Sequence, residues 1–205
     1  MGWYDRNILP RFINIAFSAK PNTKQRQKLV PHAVGEVLEI GFGSGLNLPF
    51  YDAGKVHKVF GLEPAEEMRR LAAERVNDSA FEIEFIDLPG EEIPLPQNSI
   101  DTVLVTYTLC TIEDPIAALE GMRRVLRPGG KLLFCEHGRA LDASVRRWQN
   151  RLNSGWGKIA GGCSMNRDIP ALIQKGGFRI VTDERMYIPG PKILCYNYWG
   201  SAQPV

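Results

Sequence analysis

The chain of 205 residues is long enough for one globular domain with a full hydrophobic core, alone or with a small extension. Its 44% apolar and 23% charged residues are ordinary for a soluble globular protein, and its net charge of +2 gives no reason to expect a nucleic-acid partner. The sequence contains no apolar run of the roughly 18 residues needed to span a bilayer and no apolar signal-peptide segment, so we expect a cytoplasmic protein.

The cysteines and histidines give no sign of a metal site. The four cysteines are widely spaced and form no C-x-x-C pair, which favours reduced thiols. Cys110 and Cys135 lie in apolar runs typical of a core, and we interpret Cys163, in a glycine-rich segment, as a packing residue. The three histidines show no ligand spacing, and we therefore predict that no metal is bound.

The N-terminal segment combines aromatic and aliphatic residues at near-helical spacing. We interpret residues 1–30 as a helical extension packed on a single domain of residues 31–205. A lid over a substrate pocket is a second interpretation, and a helix on a membrane surface is a third. The apolar residues of this segment are Trp3, Tyr4, Ile8, Leu9, Phe12, Ile13 and Phe17.

Residues 36–46 read EVLEIGFGSGL, in which an apolar run leads into closely spaced glycines. This pattern is typical of a buried parallel strand and the tight turn after it, where main chain approaches a ligand. A dinucleotide-binding loop, G-x-G-x-x-G, would need glycine at position 46, where this chain has Leu46. A tight strand-to-helix turn without a ligand is the simplest alternative. The glycines are Gly41, Gly43 and Gly45, and the acidic residue before them is Glu39.

Strand-like and helix-like stretches alternate after this loop, which predicts an α/β domain with a mostly parallel sheet. Two further helices are expected at 143–160 and 168–175, before a closing hairpin of strands at 178–187 and 192–199. The first five strands are expected at 36–40, 56–62, 81–86, 100–106 and 131–135.

Local signals mark where helices begin between the strands. Pro64 suits the first turn of a helix after the second strand. Asp114 followed by Pro115 is a helix cap followed by proline at the first helical position. We also expect a helix to begin near Leu46, directly after the glycines.

Ligands of open α/β sheets bind outside the carboxyl ends of the strands, so the residues at those ends are the candidates for a site. The N–H groups of the glycine loop, with the helix expected after it, suit a carboxylate. Glu63 follows the second strand, where it could bind a ribose diol or stabilise a helix N-terminus. Asn47 could contact the same ligand or cap the helix.

The pattern E-x-G-x-G-x-G at 39–45 resembles the cofactor loop of the class I S-adenosylmethionine-dependent methyltransferases. The stretch RVLRPGG at 124–130 resembles a motif of the same family, and with Glu63 the resemblance covers residues 36–136. It implies S-adenosyl-L-methionine as the cofactor. It also implies a Rossmann-like α/β fold with a seven-stranded, mostly parallel sheet in the order 3-2-1-4-5-7-6 and helices on both faces.

The resemblance further implies which residues meet the cofactor. In the family an acidic residue after the third strand bonds the adenine amino group, and an inserted residue here leaves open whether this is Asp87 or Glu91. The loop after the fourth strand lines the methionine end. The predicted cofactor-binding residues are Glu39, Gly41, Gly43, Gly45, Asn47, Glu63, Pro64, Asp87, Leu88, Glu91 and Thr106.

The second half is similar to a narrower group, the small alkyl thiol S-methyltransferases, with broader kinship to quinone C-methyltransferases and phospholipid N-methyltransferases. The motifs that carry this similarity are CEH at 135–137, Trp148 and GGCxxNR at 161–167. They imply a small apolar methyl acceptor, with a thiol favoured. An NAD(P)-dependent oxidoreductase and a non-catalytic binding module are the alternatives from other classes.

His137 is the predicted catalytic residue, as a general base or as a residue that positions the substrate. A histidine bonded to a neighbouring backbone group is its structural alternative. Tyr107 is a weaker candidate. Basic side chains at Arg146, Arg147, Arg151, Lys158 and Arg167 either form a solvated face or attract an anionic lipid, which would give a peripheral membrane contact. The sequence gives no indication of the oligomeric state.

Overall fold

The computed structural model describes residues 9–205, and the predictions for Trp3, Tyr4 and Ile8 lie outside this part. Two helices precede the sheet, α1 (Leu9–Phe17) and α2 (Lys20–Leu29). One face of α1 is buried at Leu9 and Pro10, whereas Phe12 and Ile15 on the other face are exposed. Within the described residues no helix is both long and apolar enough to cross a membrane.

The strands form one seven-stranded sheet in the order β3-β2-β1-β4-β5-β7-β6, which confirms the predicted fold. The pairs among β1 to β5 are parallel, and β7 runs antiparallel to both β5 and β6. The strands are β1 (Gly35–Ile40), β2 (Val56–Leu62), β3 (Glu82–Ile86), β4 (Ile100–Thr106), β5 (Leu126–His137), β6 (Phe178–Tyr187) and β7 (Tyr196–Pro204).

Two strands differ from their predicted bounds. Strand β5 begins earlier than expected because Leu126 already pairs with Ile100, and residues 127–130 form an irregularity before the pairing resumes. Strand β7 begins later than expected. The segment between β6 and β7 contains Pro189 and Pro191, which lack the N–H groups that a paired strand needs.

The remaining helices lie between or beside the strands as the alternating pattern predicts. Asp114 caps α4, since its side chain accepts hydrogen bonds from the backbone N–H groups of Ile116 and Ala117. Pro64 precedes α3 and does not lie in its first turn. These helices are α3 (Glu66–Asn77), α4 (Pro115–Val125), α5 (Ala143–Ile159) and α6 (Ile169–Lys175).

The helix expected near Leu46 is absent from the described structure. In its place Leu48–Phe50 forms a single 3-10 turn. The chain then turns again, because the side chain of Asp52 accepts a hydrogen bond from the N–H of Gly54. This second turn leads directly into β2, so the segment has no room for a longer helix. A helix macrodipole is therefore not available behind the glycine loop.

The sheet is covered on both faces, and successive residues of its central strands point to opposite sides. In β4, Val103 and Val105 join one core cluster and Leu104 joins the other. Buried residues of α4 and α6 belong to the first cluster, and buried residues of α2 and α3 belong to the second. This packing fixes the carboxyl ends of β1, β2, β4 and β5 along one edge of the domain.

Candidate active site

The glycine loop folds back over the end of β2. The N–H of Gly41 donates to the carbonyl of Leu62 at 2.9 Å, and all the glycines of the loop have positive φ. A Cβ at Gly41 would lie 2.2 Å from Oγ1 of Thr108, so packing requires glycine there. A Cβ at Gly43 would lie 3.3 Å from the flexible end of Met68 and 3.8 Å from the carbonyl oxygen of Gly41. The backbone at Gly43 therefore borders a small space beside the loop, here called the cradle, that a side chain would fill.

Glu63 connects the ends of two strands at this cradle. One carboxylate oxygen accepts from the N–H of Gly43 and the other from the N–H of Ala65, each at 2.9 Å. Burial raises the pKa of the Glu63 carboxyl, and these two hydrogen bonds act in the opposite direction. Each oxygen retains a further lone pair, so the carboxylate can still accept the two hydroxyls of a ribose.

A buried polar network lies beneath the glycine loop. The carboxylate of Glu39 accepts from Nδ2 of Asn47 at 2.8 Å and from the hydroxyl of Tyr51 at 2.6 Å. Nδ2 of Asn47 also donates to Oγ1 of Thr106 at 2.9 Å. Burial raises the pKa of Glu39 to about 7, although both hydrogen bonds lower it. Asn47 thus joins β1 to β4, and its side chain does not cap the following turn.

The structure separates the two acids considered for the adenine. Asp87 is exposed at the end of β3, 3.4 Å from the guanidinium of Arg69. Glu91 instead accepts a hydrogen bond from the N–H of Asp114, so this side chain supports the start of α4. Leu88 packs partly buried against the larger core cluster. Of the two acids, Asp87 is the more exposed to solvent beside the strand ends.

Tyr107 does not have the geometry of a base. The residue has a φ of 56° at the sharp turn after β4, and its hydroxyl donates to Oδ1 of Asn197 at 2.8 Å. Burial raises the pKa of Tyr107 well above its ordinary value, so the hydroxyl stays protonated. The turn itself is held by Glu136, whose Oε1 accepts from the N–H groups of Thr108 and Leu109. We therefore assign Tyr107 a structural role.

His137 and Cys163 form a contact that the sequence analysis did not anticipate. Nε2 of His137 lies 3.2 Å from Sγ of Cys163, and Nδ1 has no hydrogen-bond partner among the described residues. The expected backbone bond to this histidine is therefore absent from the described structure. Sγ of Cys110 completes the group. Contacts with Cys110 and His137 lower the pKa of Cys163. Burial lowers the pKa of His137, but the contact with Cys163 outweighs burial, so the net shift of this pKa is upward.

Helix α1 spans the space between the glycine loop and the Cys163 loop. Oδ1 of Asn14 accepts a hydrogen bond from the hydroxyl of Ser44 at 2.6 Å. At the other end, the side chain of Leu9 lies so close to Gly161 that a Cβ there would be 3.0 Å away. One helix thus contacts both the loop expected to hold the cofactor and the loop that carries Cys163.

The basic side chains after β5 do not form one surface. Arg167 is partly buried and donates to the carbonyl of Leu109, so it supports the loop after β4. Arg147 and Arg151 are exposed on α5, and the guanidinium of Arg151 lies 5.7 Å from the ring centre of Trp148. Trp148 is 55% exposed. The exposed face of α5 is therefore both basic and aromatic.

Comparison with known proteins decides the family. Residues 38–134 match the family described as a methyltransferase domain. Human thiol S-methyltransferase TMT1B is 31% identical over 168 residues, which cover 77% of this chain and 68% of the human protein. The chain belongs to the class I S-adenosylmethionine-dependent methyltransferases. The cofactor of this family is S-adenosylmethionine, and the glycine loop has Leu46 where a dinucleotide loop has glycine.

Two further matches support the fold of this methyltransferase. The yeast mitochondrial methyltransferase OMS1 is 26% identical over 80% of this chain, which spans 38% of that protein. A solved S-adenosylmethionine-dependent methyltransferase from Leishmania major aligns with a TM-score of 0.70 over 98% of this chain and 80% of its own, at 16% identity. The residues around the cradle fit the cofactor, because Gly43 leaves room for close approach and Glu63 presents acceptors beside it.

Proposed function

We propose that this methyltransferase transfers a methyl group to a small apolar thiol. The observation that carries the proposal is the buried imidazole of His137, which lies with two thiols at the carboxyl ends of β4 and β5. The nearby carboxylate of Glu136 holds the turn after β4, because its Oε1 accepts from two backbone N–H groups. A thiol has an ordinary pKa of about 8.5 and needs little help to ionise.

In this proposal, residues at the ends of successive strands bind different parts of the cofactor. Bound S-adenosylmethionine supplies a methyl group on a sulfonium, which an acceptor thiolate displaces with S-adenosylhomocysteine as leaving group. The glycine loop binds the methionine moiety, Glu63 binds the ribose hydroxyls and Asp87 binds the adenine. His137 faces the acceptor sulfur. Alignment of this kind can lower a barrier by about 7–11 kcal/mol, so the protein needs few other chemical groups.

Residues 1–30 are proposed as a lid on a domain of residues 31–205. The contacts of α1 with Ser44 and Gly161 support this role, because a helix that joins the two loops can exclude water from the space between them. The exposed Phe12 and Ile15 of α1, with Trp148 of α5, further support a peripheral membrane contact through which an apolar acceptor would arrive.

The free cysteines support a reducing compartment, for which we propose the cytoplasm. A quinone carbon or a phospholipid amine is the second acceptor class, since both belong to the wider kinship of the chain.

An acceptor screen with methyl-labelled cofactor tests the proposal. The panel contains alkyl thiols, quinols and phosphatidylethanolamine vesicles, with enzyme lacking acceptor as the background. We expect labelled thioether from the thiols at a rate well above that from the other classes. Product from quinols or phosphatidylethanolamine alone would contradict the thiol assignment. Stabilisation by S-adenosylhomocysteine with no product from any class would favour a non-catalytic binding module.

A further inference from the structure

The side chains of Cys110, His137 and Cys163 meet inside the domain. Their ligand atoms all lie within 4.8 Å of one another, and all three residues are buried. The residues come from separate segments, namely the loop after β4, the end of β5 and the loop after α5. Backbone bonds hold these segments together, since the N–H of Ser164 donates to the carbonyl of Cys110 at 2.8 Å. The cluster is therefore built by the tertiary fold.

Two thiols and an imidazole form a donor set suited to Zn²⁺. Tetrahedral Zn²⁺ separates a sulfur from a nitrogen ligand by about 3.6 Å and two sulfur ligands by about 3.8 Å. Sγ of Cys163 lies 3.2 Å from Nε2 of His137, and the third ligand atom lies within 4.8 Å of both. Side-chain shifts of up to about 1 Å would bring the three atoms onto one tetrahedron.

The charges of such a site balance. Two thiolates and a neutral imidazole carry a total charge of −2, which cancels the charge of one Zn²⁺. Neutrality matters here because the cluster is buried, where an uncompensated charge is costly. Zinc sites with three protein ligands keep their fourth position for water or substrate, whereas structural zinc sites have four protein ligands. A three-ligand cluster therefore corresponds to the open class.

We infer that Cys110, His137 and Cys163 bind one Zn²⁺ and leave its fourth position for the sulfur of the acceptor thiol. The second part of this inference rests on the proposed thiol methyltransferase activity. On coordination a zinc–sulfur bond forms and the thiol proton passes to solvent water. The metal would thus fix the position of His137, ionise the acceptor and aim its sulfur. This assigns Cys163 a ligand role in place of the packing role expected from the sequence.

Cobalt substitution tests the metal site without any turnover. Co²⁺ is added to the purified full-length protein, and the thiolate-to-metal charge-transfer band and the visible d–d bands of tetrahedral Co²⁺ are recorded. We expect saturation at one equivalent and loss of these bands on addition of Zn²⁺. The variants Cys110→Ser and Cys163→Ser should bind Co²⁺ at least about 100-fold more weakly. Cys195→Ser, which lies outside the cluster, is the matched control and should bind like the native protein.

Two readouts separate loss of the site from loss of the fold. Binding of S-adenosylhomocysteine reports whether each serine variant is folded. X-ray absorption of the zinc-loaded native protein counts the ligands without any variant, and we expect two sulfur atoms and two nitrogen or oxygen atoms, namely the imidazole and a water in the open position. Native protein that shows no thiolate–cobalt band, or zinc bound without sulfur ligands, would overturn the metal site. That result would leave thiol methylation in the acceptor screen untouched.

The open position has its own test. Addition of an alkyl thiol to the Co²⁺-loaded protein should shift the charge-transfer band, because a third thiolate enters the coordination sphere. An unchanged spectrum at thiol concentrations that support methylation would overturn the open position while leaving the metal site in place. If the acceptor screen yields no thioether but the cobalt bands appear, the proposed activity fails and the metal site stands.

Discussion

The carboxylate of Glu63 accepts a hydrogen bond from the backbone N–H of Gly43 at 2.9 Å, so the acid after β2 supports the turn after β1. The same side chain also bonds the N–H of Ala65, which precedes α3. Glu63 thus shapes the glycine loop, and the ribose contact that we propose would be a second duty, so a single substitution would confound the two. The first prediction is designed to separate them.

Replacing Glu63 by alanine or glutamine should weaken the binding of S-adenosylhomocysteine by roughly 10–100-fold, because hydrogen bonds to charged groups are worth about 1.5–3 kcal/mol. Isothermal titration calorimetry gives the dissociation constants. The exposed Glu66→Gln variant, in which an ion pair with Arg70 is lost at the surface, should bind like the native protein. Unchanged affinity in both Glu63 variants would remove this residue from the site.

A ligand that lacks both ribose hydroxyls distinguishes the two duties. Native protein should prefer S-adenosylhomocysteine over its 2′,3′-dideoxy analogue, and Glu63→Gln should lose most of this preference. If the variant binds both ligands more weakly by the same factor, Glu63 acts through the loop and the ribose contact is wrong.

The second prediction concerns backbone access at Gly43. In the Gly43→Ala variant the new methyl group would occupy the cradle beside the loop, in contact with the end of Met68 and the carbonyl oxygen of Gly41. We expect cofactor affinity to fall at least about tenfold, with a loss of folding stability of about 1–2 kcal/mol from the positive φ. Gly129→Ala is the matched control, because that glycine has a φ of 84° and open space for a Cβ.

Thermal melts and calorimetry on both alanine variants separate strain from obstruction. Gly129→Ala should lose similar stability and retain cofactor affinity. Equal cofactor affinity in the two variants would show that the ligand does not approach Gly43.

The sequence predicted the structural features that depend only on residues close together along the chain. The apolar run before Gly41 specified β1, because a strand buried on both faces needs apolar residues at successive positions. The cap at Asp114 was equally local, since its side chain bonds N–H groups within three residues. The prediction of a helix near Leu46 was wrong, because the turns at Leu48–Phe50 and Asp52 occupy the segment before β2.

The acceptor end could not be predicted in this way. His137 and Cys163 lie 26 residues apart, and their contact exists only because β5 ends beside the loop after α5. The burial of Tyr107 likewise depends on Asn197 of β7, 90 residues away. The sequence contained one weak signal for this contact. Cys110 follows β4 and His137 ends β5, so both lie at the carboxyl edge of the sheet. Spacing along the chain does not reveal this cluster, because its members come from three separate segments.

The third prediction is a pH dependence of stability from Glu39, whose pKa is about 7 in the folded protein and 4.5 as the ordinary value. The folded protein holds this proton more tightly than the unfolded chain, so the neutral acid favours folding. Stability from this group is therefore present below pH 4.5 and is lost as the pH rises through about 7. The full change is on the order of 3 kcal/mol.

Urea unfolding of native protein and Glu39→Gln between pH 5 and pH 8 measures this difference. The stability of the native protein relative to the variant should fall with rising pH and become constant above about pH 8. The groups that face Glu39 are Tyr51 and Asn47, with Arg26 and Glu63 further away. Glu66→Gln, the same change at an exposed site, should leave the pH profile of the native protein unaltered. A parallel profile in Glu39→Gln would contradict the assignment.

The fourth prediction tests α1 as a lid. Because Asn14 bonds Ser44 beside the glycine loop, S-adenosylhomocysteine should hold α1 in place and slow tryptic cleavage at the exposed Arg11, which lies within α1. Asn14→Ala should lose most of this protection. Cleavage at Lys175, at the end of α6, serves as the internal control and should not respond to the ligand. Equal cleavage of α1 with and without ligand would exclude the lid.

The fifth prediction concerns the exposed face of α5. Trp148 is 55% exposed beside Arg151, and Arg147 is exposed next to it, so this face suits an anionic lipid surface. Reversing the charge of both arginines to glutamate should weaken binding to phosphatidylserine vesicles at least roughly tenfold, because each basic residue contributes about 1 kcal/mol. Trp148→Ser should weaken binding to the same vesicles because the indole no longer inserts into the lipid, but the salt dependence of binding should not change.

Vesicle co-sedimentation gives the partition coefficients, with Arg179→Glu on the edge strand β6 as the matched control. If the double reversal binds anionic vesicles as tightly as the native protein, α5 does not contact the membrane and the apolar acceptor must reach the site by another face.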